Sequence, residues 1–332
     1  MFDSARGRLR PARPGTALAA SLGLAFSLGL AAGCSVDDGA KGDAAVPSGE
    51  KITIGFVNGN SVQFHTCLQK ALQARAAAKG VEVLTANSAM DPGKELSNID
   101  DMIVKKVDVI VVQTVNIDAL QGGVGRANRA GIPIFLTGVA SGVDRSKILG
   151  AVVADVEQVG RSLGAWLVKD SGGRPARVAI IGGAPGAAAD LMTGAFKKSM
   201  GPKAEVVFEQ PAFWQRSKAQ DVAENLLQAE PDVGYVLVQN EDMAFGVDAA
   251  FRAAGRTGIK ILTNGGTAEG VQAVKAGRFA VTVSNTPKDV GEMAVENVVA
   301  LLRKDPSAKK FENVPETVVT KENTDKAPPY CG

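Results

Sequence analysis

Signals for strands and helices alternate almost without interruption from Lys51 to the end of the chain. Short, fully apolar runs such as Val109–Val112 predict strands that are buried in a parallel sheet. Segments such as 64–79 carry apolar residues at helical spacing and stop at a glycine, here Gly80, which is typical of a helix end. The predicted strands are 52–57, 81–84, 109–112, 134–136, 178–181, 205–208, 235–238, 259–263, 280–284 and 317–320. The predicted helices are 64–79, 95–105, 119–130, 156–169, 187–200, 217–229, a segment from Met243 that stops at Gly255, 270–276 and 290–303.

This order corresponds to two successive β-α-β-α-β-α-β modules. Alternation with short turns predicts parallel sheets that are covered by helices on both faces. Two lobes are favoured over one very wide sheet, because single cores stop growing at about 250–300 residues. The predicted fold class is therefore α/β, with two doubly wound parallel-sheet lobes whose strand ends face a common cleft.

The N-terminal segment is predicted to direct export. Arginines at positions 6, 8, 10 and 13 precede an apolar stretch, residues 17–32, that is too short and too rich in Gly and Ala for a spanning helix. The run ending at Cys34 resembles a bacterial lipoprotein signal, in which that cysteine is lipidated and becomes the first residue. We predict a signal peptide at 1–33, a flexible tether at 34–50 and a membrane-anchored lipoprotein at the cell surface or in the periplasm. Because Ala31 replaces the usual Leu, an ordinary secretory signal with an incidental Cys stays open.

The charge balance gives no reason to expect a nucleic-acid partner. The full chain has 37 basic and 35 acidic residues, and residues 1–33 contain four Arg and one Asp. The exported part therefore has 33 basic against 34 acidic residues, a net charge of −1. Such a balance lacks the basic excess that binding to phosphate backbones requires.

Two cysteines remain besides Cys34. Cys67 lies early in the first predicted helix, and Cys331 is next to the last residue. In an exported protein they are able to form a disulfide, which would link the C-terminal tail to the first predicted helix. Free thiols are the alternative, and the sequence leaves both open.

The side chains that an enzyme would need are scarce. His65 is the one histidine, and Cys67 at i+2 on a helix points away from it, so the two do not form a nucleophile–base pair. No cluster has the ligand spacing that zinc needs. The glycine-rich turn at 182–186 lacks both the Gly-Lys-Ser/Thr ending and the G-x-G-x-x-G spacing, so a tight strand-to-helix turn is favoured over a phosphate site. We expect neither an enzyme nor a bound metal or cofactor.

The stretch from Tyr235 to Phe251 predicts how a ligand site forms. An apolar strand ends at Val238, polar side chains follow, and a helix begins with acids near its positive end. Ligands of open parallel sheets bind at turns of this kind. Asn240 is the candidate ligand group, since an amide both donates and accepts. Capping of the helix by Asn240 or Asp242 is the alternative, and both roles are compatible.

Other strand ends also carry amides, hydroxyls and aromatic rings. Aromatic faces stack on the apolar face of a sugar ring and amides bind its hydroxyls, so this set favours a small polar ligand. The residues are Asn58, Asn60, Gln63, Phe64, His65, Thr137, Phe213, Trp214, Asn240, Asn264 and Asn285.

Several stretches of the chain resemble the ribose-type periplasmic sugar-binding proteins of ABC transporters, over about residues 52–321. The strongest match is Gln239-Asn240-Glu241-Asp242-Met243-Ala244, and the others are Thr53 to Val57, Asp91 to Leu96, Ala130 to Ile134, and Gln210-Pro211-Ala212 with Arg216. The order of elements matches too, and no DNA-binding helix-turn-helix precedes them.

The resemblance implies three crossings between lobes, near residues 154–156, 285–287 and 313–315. It assigns 51–154 plus 286–314 to an N-terminal lobe, 155–285 plus 315–322 to a C-terminal lobe, and 323–332 to a tail. It further implies hinge closure over a ligand and docking on a membrane permease. Among its site positions, Phe64 and Trp214 match stacking aromatics, while Asn240 and Asn285 match polar sugar contacts.

The chain departs from this family at several site positions. Thr137-Gly138 stands where Asp-Arg is usual, Met192, two residues after Asp190, stands in place of an Arg, and Asn264 with two glycines replaces an Asp. His65 takes the place of the second stacking aromatic. Since charged groups make the strong hydrogen bonds to sugar hydroxyls, we hypothesise a different ligand, such as a deoxy sugar or a polyol.

The function we predict is the extracytoplasmic solute-binding component of an ABC importer, which captures a sugar or sugar-like molecule by hinge closure. The alternative is a sensor subunit that presents its ligand to a membrane receptor. We expect a monomer, because a clamshell must open and its lobes must stay free.

Overall fold

The computed structural model describes residues 49–331. The predicted signal peptide, Cys34 and almost all of the predicted tether lie outside these residues. The strands are β1 (Thr53–Asn58), β2 (Glu82–Asn87), β3 (Val109–Val112), β4 (Ile134–Leu136), β5 (Gly150–Val153), β6 (Ala176–Gly182), β7 (Ala204–Pro211), β8 (Tyr235–Val238), β9 (Lys260–Gly265), β10 (Val281–Ser284), β11 (Phe311–Asn313) and β12 (Thr317–Val319). The α-helices are α1 (Gln63–Ala78), α2 (Pro92–Val104), α3 (Ile117–Arg129), α4 (Val156–Ser171), α5 (Ala187–Ser199), α6 (Arg216–Ala229), α7 (Glu241–Ala253), α8 (Ala268–Lys275) and α9 (Pro287–Leu302).

The strands form two separate sheets of six strands each. The first sheet has the order β11-β5-β4-β3-β1-β2, and all of its pairings are parallel. The second has the order β12-β10-β9-β8-β6-β7, parallel throughout except for the antiparallel edge strand β12. Because both sheets are parallel in their centres, the carboxyl ends of neighbouring strands lie along one edge of each sheet.

Helices cover both faces of each sheet, as fully apolar central strands require. On the first sheet, α1 and α9 pack on one face, and α2 and α3 pack on the other. On the second sheet, α6, α7 and α8 pack on one face, and α4 and α5 pack on the other. The predicted fold class of two doubly wound α/β lobes is confirmed.

The sequence patterns missed two strands, β5 and β11. The segment Phe311–Asn313 is short and ends in two polar residues, so no run of apolar residues predicts it. It is a strand because it pairs with β5 at the edge of the first sheet. Strand formation at an edge depends more on the partner than on local preference.

The chain passes between the two sheets three times, after β5, after β10 and between β11 and β12. Two of these segments are tied together, because the side chain of Asn313 donates a hydrogen bond of 3.0 Å to the Asp155 carboxylate at the start of α4. Asp155 also caps α4 through Gln158 N. The residue boundaries given above for the lobes and the tail stay predictions.

We use the name C-terminal strap for residues 320–331, which follow β12. Asn323 accepts from Thr320 N and donates to the Val318 carbonyl, so the strap begins fixed to the second sheet. After a short 3-10 helix at Thr324–Lys326, the strap ends at Cys331, which is bonded to Cys67 of α1. The two Cα atoms are 5.1 Å apart. The strap therefore leaves the second lobe and is attached to the first.

Candidate functional site

Most of the predicted ligand residues lie at the carboxyl ends of strands. Thr137 follows β4, Asn240 follows β8, Asn264 is next to last in β9, and Asn285 follows β10. Phe64 and His65 begin α1, and Trp214 follows β7. The eighth, Asp190, is exposed in the first turn of α5 and makes no side-chain hydrogen bond or ion pair with another described residue. The fold thus distributes the set over the carboxyl edges of both sheets, with Asp190 in the first turn of the helix that follows β6.

Phe64 and His65 form an aromatic pair at the start of α1. Their ring centroids are 5.5 Å apart in an edge-to-face arrangement. Asn58, the last residue of β1, fixes this turn, because its amide nitrogen donates to the His65 carbonyl and to the Gln69 side chain. Burial lowers the pKa of His65 to about 4. The imidazole is therefore neutral near pH 7 and is able both to donate and to accept a hydrogen bond.

Trp214 sits on an unusual backbone turn. Phe213 and Trp214 have φ angles of 57° and 62°, which places two consecutive non-glycine residues in the left-handed region. Such conformations cost free energy and concentrate at ligand-binding loops. The turn is held by Ala212, whose N–H donates to the Gly182 carbonyl at 2.7 Å, and by a bond from Gln215 N to the Ala212 carbonyl.

The glycine-rich turn after β6 makes room for the indole ring. A Cβ atom on Gly183 would lie 2.1 Å from Trp214 Cζ2, so only glycine fits there. Gln239 fixes the same turn, since it accepts from Gly183 N at 2.8 Å and donates to the Ala189 carbonyl and to Thr193. The turn at 182–186, interpreted above as a tight connection, thus supports the indole ring of Trp214.

Asn240 caps α7. Its side-chain oxygen accepts from Met243 N at 2.8 Å. Capping occupies one lone pair of the oxygen and leaves the NH₂ group of the amide for a second role.

Glu241, which was not among the predicted ligand residues, organises the turn between β9 and α8. It is 2% exposed. Its carboxylate accepts from Gly266 N and Thr267 N, both at 2.8 Å, and from the Thr282 hydroxyl at 2.6 Å. The glycines of this turn lie against it, since a Cβ on Gly265 would be 2.8 Å from a carboxylate oxygen. Asn264 therefore begins a turn whose position is fixed by hydrogen bonds to the Glu241 carboxylate.

Eight buried side-chain atoms find no hydrogen-bond partner among residues 49–331. Six belong to residues within two positions of the end of a strand, and two belong to the first turns of α1 and α2. They are Asn58 Oδ1, His65 Nδ1, Glu95 Oε1, Gln113 Oε1, Thr114 Oγ1, Thr263 Oγ1, Asn264 Oδ1 and Ser284 Oγ. Buried polar atoms are rarely left unpaired without a reason. We call this set the open polar edge; it includes residues of both lobes.

Two other predicted positions, Thr137 and Asn285, are almost fully buried. Thr137 is 2% exposed, and its hydroxyl donates to the Val112 carbonyl at 3.4 Å. Asn285 is 5% exposed directly after β10. Met192 of α5, which stands where the resembling family has an Arg, is buried in the core that α4 and α5 form with the second sheet. At these places the lobes present mainly neutral groups.

Sequence reasoning missed several members of the open polar edge. Gln113 and Thr114 directly follow the apolar run of β3, so the rule that selected Asn240 would have selected them as well. Glu95 is buried, and its other oxygen accepts from Val115 N at 2.6 Å. Burial raises the pKa of Glu95 to about 7, while the Val115 bond opposes this rise. No local pattern distinguishes a buried acid in a helix from an exposed one.

Within residues 49–331 no group of three or more His, Cys, Asp or Glu side chains is arranged to hold a metal ion. No helix in this part of the chain is long and apolar enough to cross a membrane.

Two parallel-sheet lobes joined by three crossings, with polar strand ends in both, define the type I class of bilobed binding proteins. Residues 54–306 match the family described as periplasmic binding protein domain, and the chain belongs to that family. The resemblance to ribose-type members is also confirmed at the level of sequence. The ribose import binding protein RbsB of Bacillus subtilis is 30% identical over 287 residues, which cover 84% of this chain and 91% of that protein.

Solved structures of this class superpose well on the chain. The binding component of the arabinose ABC transporter of Shewanella sp. ANA-3, bound to α- and β-L-arabinofuranose, has a TM-score of 0.77 at 25% identity. It covers 82% of this chain and 93% of its own. An ABC transporter solute-binding protein of Mycobacterium smegmatis with bound glycerol has a TM-score of 0.77 at 26% identity, covering 85% of this chain and 100% of its own. Family membership implies an extracytoplasmic location.

Proposed function

We propose that the chain captures a neutral, hydroxyl-rich small molecule, a sugar or a polyol, between its two lobes for an ABC importer. The observation that carries the proposal is the open polar edge, whose eight unpaired atoms belong to both lobes. Amides, hydroxyls, a neutral imidazole and the Glu95 carboxyl, whose pKa is raised by burial to about 7, supply donors and acceptors for hydroxyl groups. Trp214 on one lobe and Phe64 on the other supply aromatic faces for an apolar sugar face. The relatives that bind ribose, arabinofuranose and glycerol support this class of ligand.

The proposed ligand has fewer hydroxyl groups than ribose or lacks a ring. Thr137 and the Gly265–Gly266 turn take positions where the resembling family carries charged side chains, and charge-assisted hydrogen bonds are about twice as strong as neutral ones. A site of amides and small groups favours a deoxy sugar or a polyol. D-Ribose is expected to bind more weakly than xylitol or 5-deoxyribose.

A thermal-shift panel tests the proposal on the purified protein. We expect xylitol or 5-deoxyribose to raise the melting temperature, because a ligand bound only by the folded state stabilises it by RT ln(1 + [L]/Kd), about 4 kcal/mol at a thousandfold excess over Kd. Ribose 5-phosphate is the charged control and should have no effect. A shift with the phosphate ester and none with any neutral compound would contradict the proposed ligand class. If ribose binds more tightly than the other neutral compounds, the proposal of a deoxy sugar or a polyol is contradicted.

The close packing of Gly183 against the indole ring gives a test of whether Trp214 contacts the ligand. Gly183→Ala should displace Trp214 and weaken binding of the panel's best ligand by at least about tenfold, since overpacking costs about 1–3 kcal/mol. Gly194→Ala is the matched control, because no atom of another group lies within 4 Å of a Cβ at that helical position. Calorimetric titration of both variants measures the affinities. Equal affinity in the two variants would remove Trp214 from the site.

The anchor and the membrane partner complete the proposal. Cys34 would carry a lipid that keeps the domain at the membrane through the tether at 34–50, and a permease of an ABC transporter would accept the closed form. The family membership and the lipoprotein-like sequence before Cys34 support this arrangement. Incorporation of a labelled fatty acid into the wild type and its loss in Cys34→Ser test the anchor.

A further inference from the structure

The C-terminal strap passes beside the two turns that carry predicted ligand residues. A cavity of about 500 Å³ lies between the strap, the start of α1 and the start of α8. Its walls include Gln63 of the first lobe, Gly266 and Gln272 of the second, and Thr324, Pro328 and Tyr330 of the strap. Gln63 is adjacent to Phe64, and Gly266 is two residues after Asn264. The cavity is therefore lined on both lobes by chain neighbours of predicted ligand residues.

Tyr330 is the aromatic side chain that the strap contributes to this cavity. It is half-buried. Burial raises the pKa of its hydroxyl, and the nearby Glu241 carboxylate raises that pKa further. The phenol is therefore neutral in solution near pH 7 and offers one donor, one acceptor and a flat apolar face. Across from it, Gly266 of the turn before α8 lines the cavity.

The covalent structure of the strap fixes where this ring lies. Ala327 has an extended backbone, and Pro328 and Pro329 restrict the next two residues, so the segment is stiff. Residues on either side are anchored, by Asn323 to the second sheet and by Cys331 to Cys67 of α1. Two fixed ends and a stiff middle leave Tyr330 little freedom, which lowers the entropy cost of using it to bind a ligand.

We propose that Tyr330 is a ligand-contacting residue of the interlobe site and that the Cys67–Cys331 disulfide holds it there. The proposal rests on the proposed function and extends it, because the ligand is again a neutral sugar or polyol. The ring covers one face of the bound molecule, and the amides of Gln63 and Gln272 flank it. The strap also forms a fourth connection between the lobes, in addition to the three crossings of the chain.

The affinity of the best-binding neutral compound from the panel tests this role. Tyr330→Ala should weaken binding on the order of tenfold or more, while Tyr330→Phe, which keeps the ring, should stay within about threefold. Tyr235→Phe is the control, since that tyrosine lies at the opposite end of a strand and bonds Asp170. Cys331→Ser, and the wild type after reduction, should lose as much affinity as Tyr330→Ala. Unchanged affinity in Tyr330→Ala overturns the proposal and leaves the proposed function intact.

Nitration of tyrosine provides a readout that needs no ligand. The chain has two tyrosines, so peptide mapping after tetranitromethane treatment compares Tyr330 with Tyr235 in one sample. Cys331→Ser should raise the nitration of Tyr330 several-fold and leave Tyr235 unchanged. If no neutral compound binds the wild type, the proposed function fails, and the ligand contact of Tyr330 fails with it. Equal labelling of Tyr330 with and without the disulfide overturns the inference that the disulfide holds the ring, whereas protection by the disulfide supports that part of it.

Discussion

Glu241→Ala should lower the free energy of unfolding by about 3–5 kcal/mol, because three buried donors then lose their acceptor. The carboxylate links the start of α7 to the turn between β9 and α8 and to Thr282 of β10. An alanine side chain replaces none of these bonds. The Gly265–Gly266 turn would lose its fixed position, so we expect ligand affinity to fall together with stability. Urea unfolding of the variant and the wild type measures the effect as a lower midpoint with an unchanged slope.

Asp242→Ala is the matched control for Glu241. Asp242 is the next residue on the same helix, its side chain is 55% exposed, and it pairs with Arg216 at 2.9 Å. Exposed ion pairs contribute little, so this change should stay within about 1 kcal/mol. Glu241→Gln retains one oxygen acceptor and should be intermediate between the two. If Glu241→Ala unfolds at the same urea concentration as Asp242→Ala, the carboxylate does not support the turn.

The strand pattern was largely predictable because both sheets are parallel and buried on both faces. The runs Val109–Val112 and Tyr235–Val238 have the predicted bounds, since each is continuous, apolar and followed by polar residues. Helix starts were less accurate. α2 and α9 begin three residues before their predicted starts, at Pro92 and Pro287. Each proline stands at the first helical position behind a capping residue, a signal that apolar periodicity does not contain.

The candidate site was predictable as far as it depends on strand ends. Parallel topology brings the residue after each strand to one edge, so amides and hydroxyls there are candidates from the sequence alone. Glu241 is different, because its role comes from a turn 25 residues away in the sequence. Tyr330 depends on an even longer path, since Cys67 and Cys331 are 264 residues apart. Side chains that are placed by tertiary contacts of this length leave no local pattern.

At the positions where this chain departs from the resembling family, the structure shows what the neutral residues contact. Where that family has charged groups, this chain has Met192 in the core, Thr137 bonded to its own sheet, and glycines lying on Glu241. The cavity beside the strap borders the same glycine turn. Gly266 and Tyr330 therefore border the same cavity. The neutral groups at the positions named above favour a changed ligand over a weakened site.

The pH dependence of stability gives the second large effect, through Glu95. Burial raises the pKa of this carboxyl from 4.5 to about 7 in the folded protein. Between these two values the folded state binds more protons than the unfolded state, so the free energy of unfolding falls as pH rises. From about pH 5 to about pH 8 the loss due to this one group is about 2–3 kcal/mol. The contribution is fully present below pH 4.5 and is lost as pH rises through about 7.

Glu95→Gln should remove this loss. Glutamine keeps an oxygen that accepts from Val115 N and resembles the protonated acid in shape, so the variant should match the wild type near pH 5 and exceed it by about 2–3 kcal/mol near pH 8. Urea unfolding at both pH values measures the difference in free energy of unfolding between the variant and the wild type.

His65 has the opposite effect on the free energy of unfolding, because its pKa is lowered to about 4 and its stabilising contribution is lost as pH falls below 6.5. That effect is common to both proteins and cancels. Asp101→Asn, an exposed acid on the same helix, is the control and should not change the pH dependence. If the free energy of unfolding of the wild type and of Glu95→Gln changes with pH in the same way, burial does not raise the pKa of this carboxyl. The Glu95 side chain would then have to be solvated or paired at the open polar edge.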